Sequence, residues 1–358
     1  MKKVLLVCPA LPDDMPYLRQ YLDIMELSST LYDLTYISAN EKDEKYLANY
    51  FSFNVTRSSL QNSIRKFCVY YRYSRFVIER LSSGNYTHVI IMGIASSVFL
   101  TSYLKRNFNS KYVYDIRDYS QVLRIPLFKN LNKELLAHSY MNVISSGGFK
   151  SWLPTTLEYT LCHNTTLVDL NHAINCSLNM ISNDVIKILT IGQIRDMTAN
   201  AYVIEQFSND DKYELVFSGK GTTLESLENF VKERGYKNVK FTGRYKKEDE
   251  DAIVERTHFL NVCMESNITS DYLLSNRLYL ATRLKKPLIS FDGSYQADII
   301  NKYNLGVVVS RNDNLPSAIE KYINTFDQNL FLSGCQNFLD DVRRDLEEFH
   351  SKMNNFLE

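Results

Sequence analysis

Four loops in the second half of the chain place a cation shortly after an apolar run. Their sequences are GQIRD (192–196), GKGT (219–222), GRYKKED (243–249) and MESNITSDYLLSNR (264–277). Three of the four begin with glycine, which lets a ligand approach the backbone closely, and helix N-termini together with Arg or Lys bind phosphate. A glycine turn is weak evidence alone, but the convergence of four such loops predicts a site for a phosphate-bearing ligand.

Arg277 is the most informative of these cations. It follows Asn276 in the first turn of a predicted helix, where the helix dipole is positive and a carboxylate would be more favourable. We therefore predict that Asn276 and Arg277 contact an anion at the helix mouth; the alternative is an Asn cap beside a solvated Arg. The alternative for the other cations of the four loops is that they are solvated surface residues. The other candidate ligand-binding residues of these loops are Gly192, Arg195, Gly219, Lys220, Arg244, Glu265, Asn267, Thr269 and Ser270.

Apolar runs alternate with helical patterns along the whole chain. The predicted strands of the first half are 3–8, 34–38, 88–93, 111–116 and 142–146, with helices near 16–30, 57–82, 95–107 and 128–139. Those of the second half are 186–192, 213–219, 238–243, 258–263, 286–291 and 305–310, with helices near 198–207, 222–234, 247–256, 275–284 and 295–303. This alternation predicts the α/β class, with two doubly wound parallel sheets whose ligands lie beyond the carboxyl ends of the strands.

Two domains also follow from the length of 358 residues, because single cores stop growing at about 250–300 residues. We place the first Rossmann-like domain at 1–165 and the second at 186–327. The polar stretch 166–185 between them is the predicted linker. A last helical segment, 328–358, has no strand after it.

Composition and charge exclude several classes of protein. A chain that is 45% hydrophobic and 23% charged is not disordered, and a formal net charge of zero does not predict nucleic-acid binding. Two sets of residues contain side chains that can bind metals. Cys162, His163, His172 and Cys176 fit no common zinc spacing, and Asp249-x-Asp251 lies in the first turn of a helix, where acids are expected. We therefore expect no metal.

The segment 57–81, RSSLQNSIRKFCVYYRYSRFVIERL, is basic and aromatic. A basic amphipathic helix of this kind can lie on an anionic membrane surface, and the alternative is an exposed helix with a mixed face. No apolar run approaches the roughly 18 residues that a spanning helix requires. The start, MKKVLLVCPALPDD, is interpreted as a first core strand rather than a signal peptide. We expect a cytoplasmic protein with peripheral contact at the inner face of the membrane.

The order of these segments resembles the GT-B glycosyltransferases, in particular the retaining, family-4-like enzymes that build bacterial surface polysaccharides. The similar segments of the second half are ILTIGQIRD, ELVFSGKGTTLESLENFVKE, VKFTGRYKKEDEDAIVERTHFLNV and SNRLYLATRLKKPLIS. In the first half, VYDIRDYS (113–120) and VISSGGFKSWLP (143–154) are similar to segments that precede the interdomain cleft. The resemblance covers nearly the whole chain.

The resemblance implies two Rossmann-like domains facing across a cleft, with the last helix returning to the first domain. It implies a nucleotide-sugar donor on the second domain and an acceptor on the first. Arg195 and Arg277 would then act on the diphosphate, and Asp118 of the DIRD segment is our candidate for facing the acceptor hydroxyl. The alternative for Asp118 is a structural ion pair with Arg117 or Arg124.

Two departures from the family pattern concern glutamates. Many members carry two glutamates eight positions apart near the last donor helix, and Tyr272 and Leu280 occupy those positions here. The second glutamate usually contacts the donor ribose, so the ribose must be held differently, and Glu265 is a possible substitute.

The function expected from the resemblance is transfer of a hexose-type sugar from a nucleotide diphosphate donor to a hydroxyl of a glycan, with UDP favoured over GDP. The acceptor is expected to be lipid-linked, and no cofactor or metal is expected. Two rivals remain: a non-catalytic GT-B partner protein, which the missing glutamates favour, and a sugar-nucleotide epimerase, which needs paired carboxylates that the donor loops lack.

Overall fold

Strands followed by helices build two units, as seen in the computed structural model, which describes residues 2–39, 48–61, 63–171 and 185–358. One unit comprises Met1–Thr166 together with Arg344–Glu358, and the other comprises Leu167–Arg343. Most of the predicted linker, residues 172–184, lies outside the described residues. The predicted domain limits therefore stay predictions.

The first unit is built on a parallel sheet. Its strands within the described residues are β1 (Lys3–Cys8), β2 (Leu31–Ser38), β3 (Tyr50–Asn54), β4 (His88–Met92), β5 (Tyr112–Ile116), β6 (Met141–Ile144) and β7 (Thr160–Leu161). They lie in the order β3-β2-β1-β4-β5-β6-β7. The helices that cover this sheet are α1 (Leu18–Leu27), α2 (Arg57–Gln61), α3 (Ser63–Ser83), α4 (Ile94–Ser97), α5 (Thr101–Asn107) and α6 (Pro126–His138).

The second unit repeats this architecture. Its described strands are β8 (Ile186–Gln193), β9 (Tyr213–Lys220), β10 (Val239–Gly243), β11 (Phe259–Asn261), β12 (Leu288–Phe291) and β13 (Gly306–Val309), in the order β10-β9-β8-β11-β12-β13. Its helices are α7 (Leu167–Asn171), α8 (Met197–Gln206), α9 (Leu224–Arg234), α10 (Glu250–Glu255), α11 (Asn276–Arg283), α12 (Tyr295–Lys302), α13 (Leu315–Asn324) and the start of α14 (Gln328–Leu357).

The two strand orders confirm the prediction of two Rossmann-like, doubly wound domains. In both sheets the order reverses beside the first strand of the unit, which is the Rossmann arrangement. The central strands are apolar along their length and buried on both faces, as the residues of β1 and β4 show. Every predicted strand is present, and most bounds agree to within two residues.

Four elements were absent from the sequence prediction. Strand β3 is only half-buried, and β7 contains two residues, so neither produces a long apolar run. Helix α13 did carry a start signal, because Asn314 accepts a hydrogen bond from the Ser317 N–H at 2.9 Å and Pro316 follows. The fourth is α7, a single short helix that falls within the predicted linker.

The last helix, α14, is shared between the units, and its final turns pack within the first. The Phe349 ring meets the Tyr21 ring edge-on at 5.3 Å, and the Phe356 ring meets His88 at 4.7 Å. His163 Nε2 lies 2.9 Å from Asp345 Oδ2. Residues Arg344–Glu358 therefore complete the first unit, although they are distant from it in sequence.

A buried ion pair lies at the carboxyl end of β5. Arg117 Nε donates to Asp115 Oδ1 at 2.7 Å and Nη2 donates to Oδ2 at 2.8 Å, while the Tyr21 hydroxyl donates to Oδ2 at 2.6 Å. The other face of the guanidinium covers the Tyr17 ring, and Nη1 donates to the Cys162 carbonyl at 2.8 Å. Burial alone would lower the pKa of Arg117, but the Asp115 carboxylate, Cys162 and Tyr21 together outweigh this effect and hold the pKa above its usual value.

We expect Asp115→Ala to lower the free energy of unfolding by about 3–5 kcal/mol, because it leaves Arg117 buried without its counter-charge. Urea denaturation of the purified protein measures this change. The matched control is Asp340→Ala, which removes an exposed carboxylate from its pair with Arg343 and should change stability by less than about 1 kcal/mol. Equal effects of the two substitutions would contradict the structural role of the buried pair.

Candidate functional site

The candidate site lies at the point of the second sheet where the strand order reverses. Strands β8 and β11 are neighbours there, and the chain leaves them in opposite directions across the sheet. Ligands of open α/β sheets bind outside the carboxyl ends of the strands at such a point. The side chains that follow β8, β9, β10 and β11 are therefore the ones to inspect.

Arg277 spans this point. Its Nε donates to the Ile191 carbonyl at 2.6 Å, Nη2 donates to the Gln193 carbonyl at 2.8 Å, and Nη1 reaches the Asn261 carbonyl at 3.4 Å. The first two acceptors end β8 and the third ends β11. The guanidinium thus joins the two strand ends, and three of its five N–H groups are used for this purpose.

The charge of Arg277 is not neutralised by an acid. No carboxylate pairs with it within the described residues; its electrostatic neighbours include the Tyr245 hydroxyl and the Cys263 thiol. Burial lowers the pKa of Arg277 from its ordinary value to about 10, so the group remains protonated at neutral pH. Burial also raises the pKa of Tyr245 and of Cys263, so both stay uncharged there. The strand ends consequently carry a fixed positive charge held by carbonyl dipoles.

Two glycines allow the loops after β8 and β9 to pack backbone against backbone. A Cβ on Gly219 would lie 1.9 Å from the Gly192 carbonyl oxygen, and a Cβ on Gly221 would lie 1.7 Å from the Ile194 carbonyl oxygen. The Ile194 N–H donates to the Lys220 carbonyl at 2.8 Å. The predicted residues Gly192 and Gly219 are therefore partners across the strand pair, and the close approach explains the GKG sequence.

Three predicted cations extend from these loops into solvent. Arg195 follows β8, Lys220 ends β9 and Arg244 follows β10, and all three side chains are exposed. No acid pairs with any of them in the part of the chain that the structure describes. Because β10, β9 and β8 are adjacent and parallel, the three cations belong to neighbouring loops at the same sheet edge as Arg277.

The loop after β11 is held mainly by its own polar side chains. Asn267 Oδ1 accepts hydrogen bonds from the Thr269 N–H at 2.9 Å and the Ser270 N–H at 3.0 Å, and Ser270 Oγ donates to the Glu265 carbonyl. Asp196 Oδ2 accepts the Glu265 N–H at 2.5 Å. The structure thus shows Asn267 and Ser270 shaping the loop, while Thr269 contributes its main chain.

Glu265 does not lie free in this loop. Its carboxylate forms a two-point ion pair with Arg311, with Nη1 2.9 Å from Oε1 and Nη2 2.8 Å from Oε2. Arg311 also covers the Phe291 ring at 4.9 Å. Leu280, which stands in place of the family's second glutamate, is buried in α11. Any contact of Glu265 with a ribose would therefore take place beside an arginine that already neutralises it.

Helix α11 begins within one residue of the predicted start, but its cap is Ser275 rather than the Asn cap that the sequence analysis gave as the alternative. Ser275 is the cap, and its Oγ accepts the Arg277 N–H at 3.2 Å, while Asn276 is exposed at the first position. The Ser275 N–H donates to Gln296 Oε1 at 3.1 Å, which links α11 to α12. Ser275 therefore fixes the start of α11 through both its side chain and its main chain, and Asn276 remains accessible to a ligand.

Sequence reasoning missed several residues that support the site. Asp196 caps α8 by accepting the Ala199 N–H at 2.9 Å and also holds the loop after β11. Asn261 is buried, and its Nδ2 donates to Thr190 Oγ1 at 2.9 Å while its Oδ1 accepts the Cys263 N–H at 3.0 Å. An Asp three residues before Ala199 was a visible cap signal, but nothing in the sequence pairs Asn261 with Thr190.

In the first unit, Asp118 is exposed two residues beyond the end of β5. Arg117, one of its two suggested structural partners, forms an ion pair with Asp115. Asp118 is thus an exposed residue directly after the buried Asp115–Arg117 pair. Its predicted role toward an acceptor stays a prediction.

Metal ligands are not gathered anywhere in the described residues, which contain no cluster of three His, Cys, Asp or Glu side chains suited to a metal. Asp251 binds Arg283, with its Oδ2 2.8 Å from Nη1. Cys162 accepts a hydrogen bond from Arg117 Nη2 at 3.2 Å, and His163 pairs with Asp345. The other two residues of the zinc set that the sequence raised, His172 and Cys176, lie outside the described residues.

Comparison with known proteins identifies the fold as GT-B. No protein-family model matches the chain, and no curated protein sequence matches it. Among solved structures, the sucrose-phosphate synthase of Thermosynechococcus elongatus superposes with a TM-score of 0.72 at 12% identity, covering 99% of this chain and 98% of that one. The α,α-trehalose 6-phosphate synthase of Burkholderia multivorans gives 0.71 at 10% identity, covering 100% and 98%.

A third similar structure is HepE of Anabaena in complex with UDP. It superposes with a TM-score of 0.64 at 13% identity, covering 100% of this chain and 99% of that one. At these identities the similarity establishes the architecture, which is the GT-B fold that the sequence predicted.

We expect Arg277→Ala to lower the free energy of unfolding by about 2–3 kcal/mol, because three carbonyls lose a charged donor. It should also abolish the binding of inorganic pyrophosphate, measured by calorimetry. Arg277→Lys keeps the charge without the three-point bridge and should fall between wild type and alanine in both measurements. The control is Arg256→Ala, which removes an exposed cation near the amino ends of β8 and β11. Unchanged pyrophosphate binding in Arg277→Ala would remove this residue from the site.

Proposed function

We propose that the protein is a glycosyltransferase that moves a hexose-type sugar from a nucleoside diphosphate donor to a hydroxyl of a glycan. The observation that carries this proposal is the set of cations at the carboxyl edge of the second sheet. Arg277 lies at the reversal point, where no acid of the described residues neutralises it, and Arg195, Lys220 and Arg244 lie at or just after the ends of β8, β9 and β10. A diphosphate is the ligand that such a cluster stabilises.

The chemistry that these residues supply is stabilisation of a leaving group. The bond between the sugar's anomeric carbon and the diphosphate oxygen breaks, and its electron pair passes to the diphosphate. The cations and the start of α11 stabilise the charge that grows there. A new bond forms between the anomeric carbon and the acceptor oxygen, whose proton passes to the departing phosphate. This route needs no strong protein base, and we propose retention of configuration.

A fixed cation suits this role because it does not reorganise during the reaction. The three carbonyls hold the Arg277 guanidinium before any ligand arrives, so its field acts on the transition state at no further ordering cost. Arg195, Lys220 and Arg244 are exposed and extend from loops, so they are suited to adjusting to the donor. No metal is included in this proposal, since arginine and lysine can neutralise the diphosphate.

The donor base and the acceptor are finer parts of the proposal. UDP is our first choice over GDP, and the similarity to HepE, whose structure contains UDP, supports this order. We propose a lipid-linked glycan as the acceptor, with Asp118 of the first unit facing its hydroxyl, and a role in surface polysaccharide synthesis. A cytoplasmic protein in peripheral contact with the inner face of the membrane would meet such an acceptor.

The donor site makes a direct binding prediction. Arg195→Ala, Lys220→Ala and Arg244→Ala should each weaken UDP binding by about tenfold, the equivalent of about 1.4 kcal/mol, because each removes one charge from the ligand. None should change the unfolding midpoint, since all three side chains are exposed and pair with no acid among the described residues. Calorimetry with UDP and GDP measures the affinities. Lys232→Ala, a charge removal at an exposed position of α9, is the matched control.

Catalysis is tested by incubating the protein with a panel of UDP-sugars and GDP-sugars and a lipid extract from a polysaccharide-producing bacterium. We expect release of the nucleoside diphosphate and a hexose-sized mass increase in a lipid-linked glycan, both reduced at least about a hundredfold in Arg277→Ala. Asp118→Asn should lower transfer while leaving UDP affinity unchanged.

Two results would replace the proposal. Conversion of the donor sugar to its epimer without transfer would indicate a sugar-nucleotide epimerase. Failure to bind any nucleoside diphosphate would favour a non-catalytic partner protein, a reading that Leu280, Tyr272 and the Arg311-bound Glu265 support. UDP binding without transfer to any extract would also count against the enzyme, provided that the extract supports a known glycosyltransferase.

A further inference from the structure

Helix α3 has an exposed face that its amphipathic pattern does not explain. Val69, Tyr73 and Val77 are buried on its inner side. On the opposite side Ile64, Cys68, Tyr71 and Arg75 recur at intervals of three and four residues and are all exposed. Ile64 is 77% exposed and Tyr71 is 53% exposed. A helix covering a sheet normally presents polar residues on that side, so the apolar stripe of Ile64, Cys68 and Tyr71 requires another explanation.

The structure extends the stripe beyond α3. The Phe67 ring lies 5.0 Å from Phe99 and 5.2 Å from Phe128, and Phe99 lies 5.5 Å from Phe128. This aromatic cluster joins α3 to the start of α6. Beside Phe128, Leu127 is 62% exposed and Ile125 is 47% exposed. The exposed apolar side chains of two separate elements therefore border one cluster, which we call the α3–α6 face: Ile64, Phe67, Cys68, Tyr71, Ile125 and Leu127.

Basic residues accompany the α3–α6 face. The sequences of α3 and of the stretch 124–133 contain a single acid, Glu79, near the end of α3. Arg75, Arg124 and Lys129 are exposed, and none pairs with an acid within the described residues. Lys66 lies over the Tyr70 ring and Arg72 over the Phe53 ring, so two further cations of α3 contact aromatic rings. Apolar tips among cations complement a surface that offers phosphates above hydrocarbon.

We propose that the α3–α6 face is a docking surface for a bilayer containing anionic lipids. Ile64, Tyr71 and Leu127 enter the boundary between head groups and acyl chains, while Arg75, Arg124 and Lys129 bind lipid phosphates. No helix among the described residues is long and apolar enough to cross a membrane, so the attachment is peripheral. This inference rests on the proposed function through the lipid-linked acceptor, which the first unit would receive at the membrane.

Charge complementarity favours a bilayer over a protein partner. The exposed cations are contributed by the same two elements as the apolar residues, and the scarcity of acids in those elements leaves little to fix a single orientation of a partner protein. Lipid phosphates move laterally in a bilayer, so a phosphate can pair with each of these exposed cations wherever it lies on the face. Binding should then depend on anionic lipid and weaken with salt.

Vesicle sedimentation tests the proposal with the full-length protein. We expect wild type to bind vesicles of phosphatidylcholine with 30% phosphatidylglycerol at least about tenfold more tightly than vesicles of phosphatidylcholine alone. Ile64→Ser with Leu127→Ser, and separately Arg75→Gln with Lys129→Gln, should each weaken binding about tenfold or more. The matched controls are Leu330→Ser, at an apolar position of α14 that is 51% exposed, and Lys232→Gln. Neither control should change binding.

Cys68 supplies a second measurement. It is the exposed cysteine among the described ones, whereas Cys8, Cys162, Cys263 and Cys335 are buried. An environment-sensitive fluorophore on Cys68, in a Cys176→Ser background, should shift to shorter wavelength with anionic vesicles and not with neutral ones. Its response reports burial of the face even where a double variant folds poorly.

Several outcomes would overturn the proposal. They are equal binding to both vesicle types, unchanged binding of both double variants, or an unshifted fluorophore. Self-association that Ile64→Ser abolishes, without vesicle binding, would show that the face joins copies of this chain. UDP affinity, measured in parallel without lipid, separates the two hypotheses: lost vesicle binding with intact UDP binding removes only the docking surface, and the reverse removes only the donor site.

Discussion

The bridge from Arg277 to three main-chain carbonyls is the interaction on which the second unit's chemistry depends. A Rossmann sheet reverses its strand order between β8 and β11, and the carbonyls at their ends need donors there. The guanidinium supplies three N–H groups and brings its charge to the same place. Arg277 therefore both satisfies the carbonyls at the strand ends and supplies the positive charge of the site. Removing this charge would also weaken the contacts between the ends of β8 and β11.

The two units place an arginine beyond a strand end in contrasting ways. Arg117 of the first unit meets Asp115, and the buried pair is electrically balanced. Arg277 of the second unit meets carbonyls, and the charge remains uncompensated among the described residues. Burial makes this charge costly, as the lowered pKa of Arg277 shows, and an anion bound nearby would offset that cost. This contrast explains why we place the diphosphate on the second unit rather than the first.

Main-chain contacts also fix the loops that lie around Arg277. Gly219 and Gly221 let the loop after β9 touch the loop after β8, and Asp196 ties the loop after β11 to the start of α8. These contacts fix the main chain of the loops after β8 and β9, while the side chains of Arg195, Lys220 and Arg244 remain exposed to solvent. A site with a fixed central cation and adjustable outer cations can bind a flexible diphosphate and still stabilise its departure. The α3–α6 face, in the other unit, carries cations among apolar tips and is suited to a surface rather than to a small ligand.

Alternation of apolar strands with helices determined the fold from the sequence alone, because fully buried parallel strands such as KVLLVC leave a continuous apolar signal. The loop glycines and cations were visible for the same reason: strand ends are marked in the sequence. Tertiary structure alone decided what each cation touches. Arg277 meets Ile191 and Asn261 through a strand order that local patterns do not encode, and Glu265 meets Arg311 of the turn that follows β13. The pairing of Phe67 with Phe128 was equally hidden, because contacts between distant segments are set by packing rather than by periodicity.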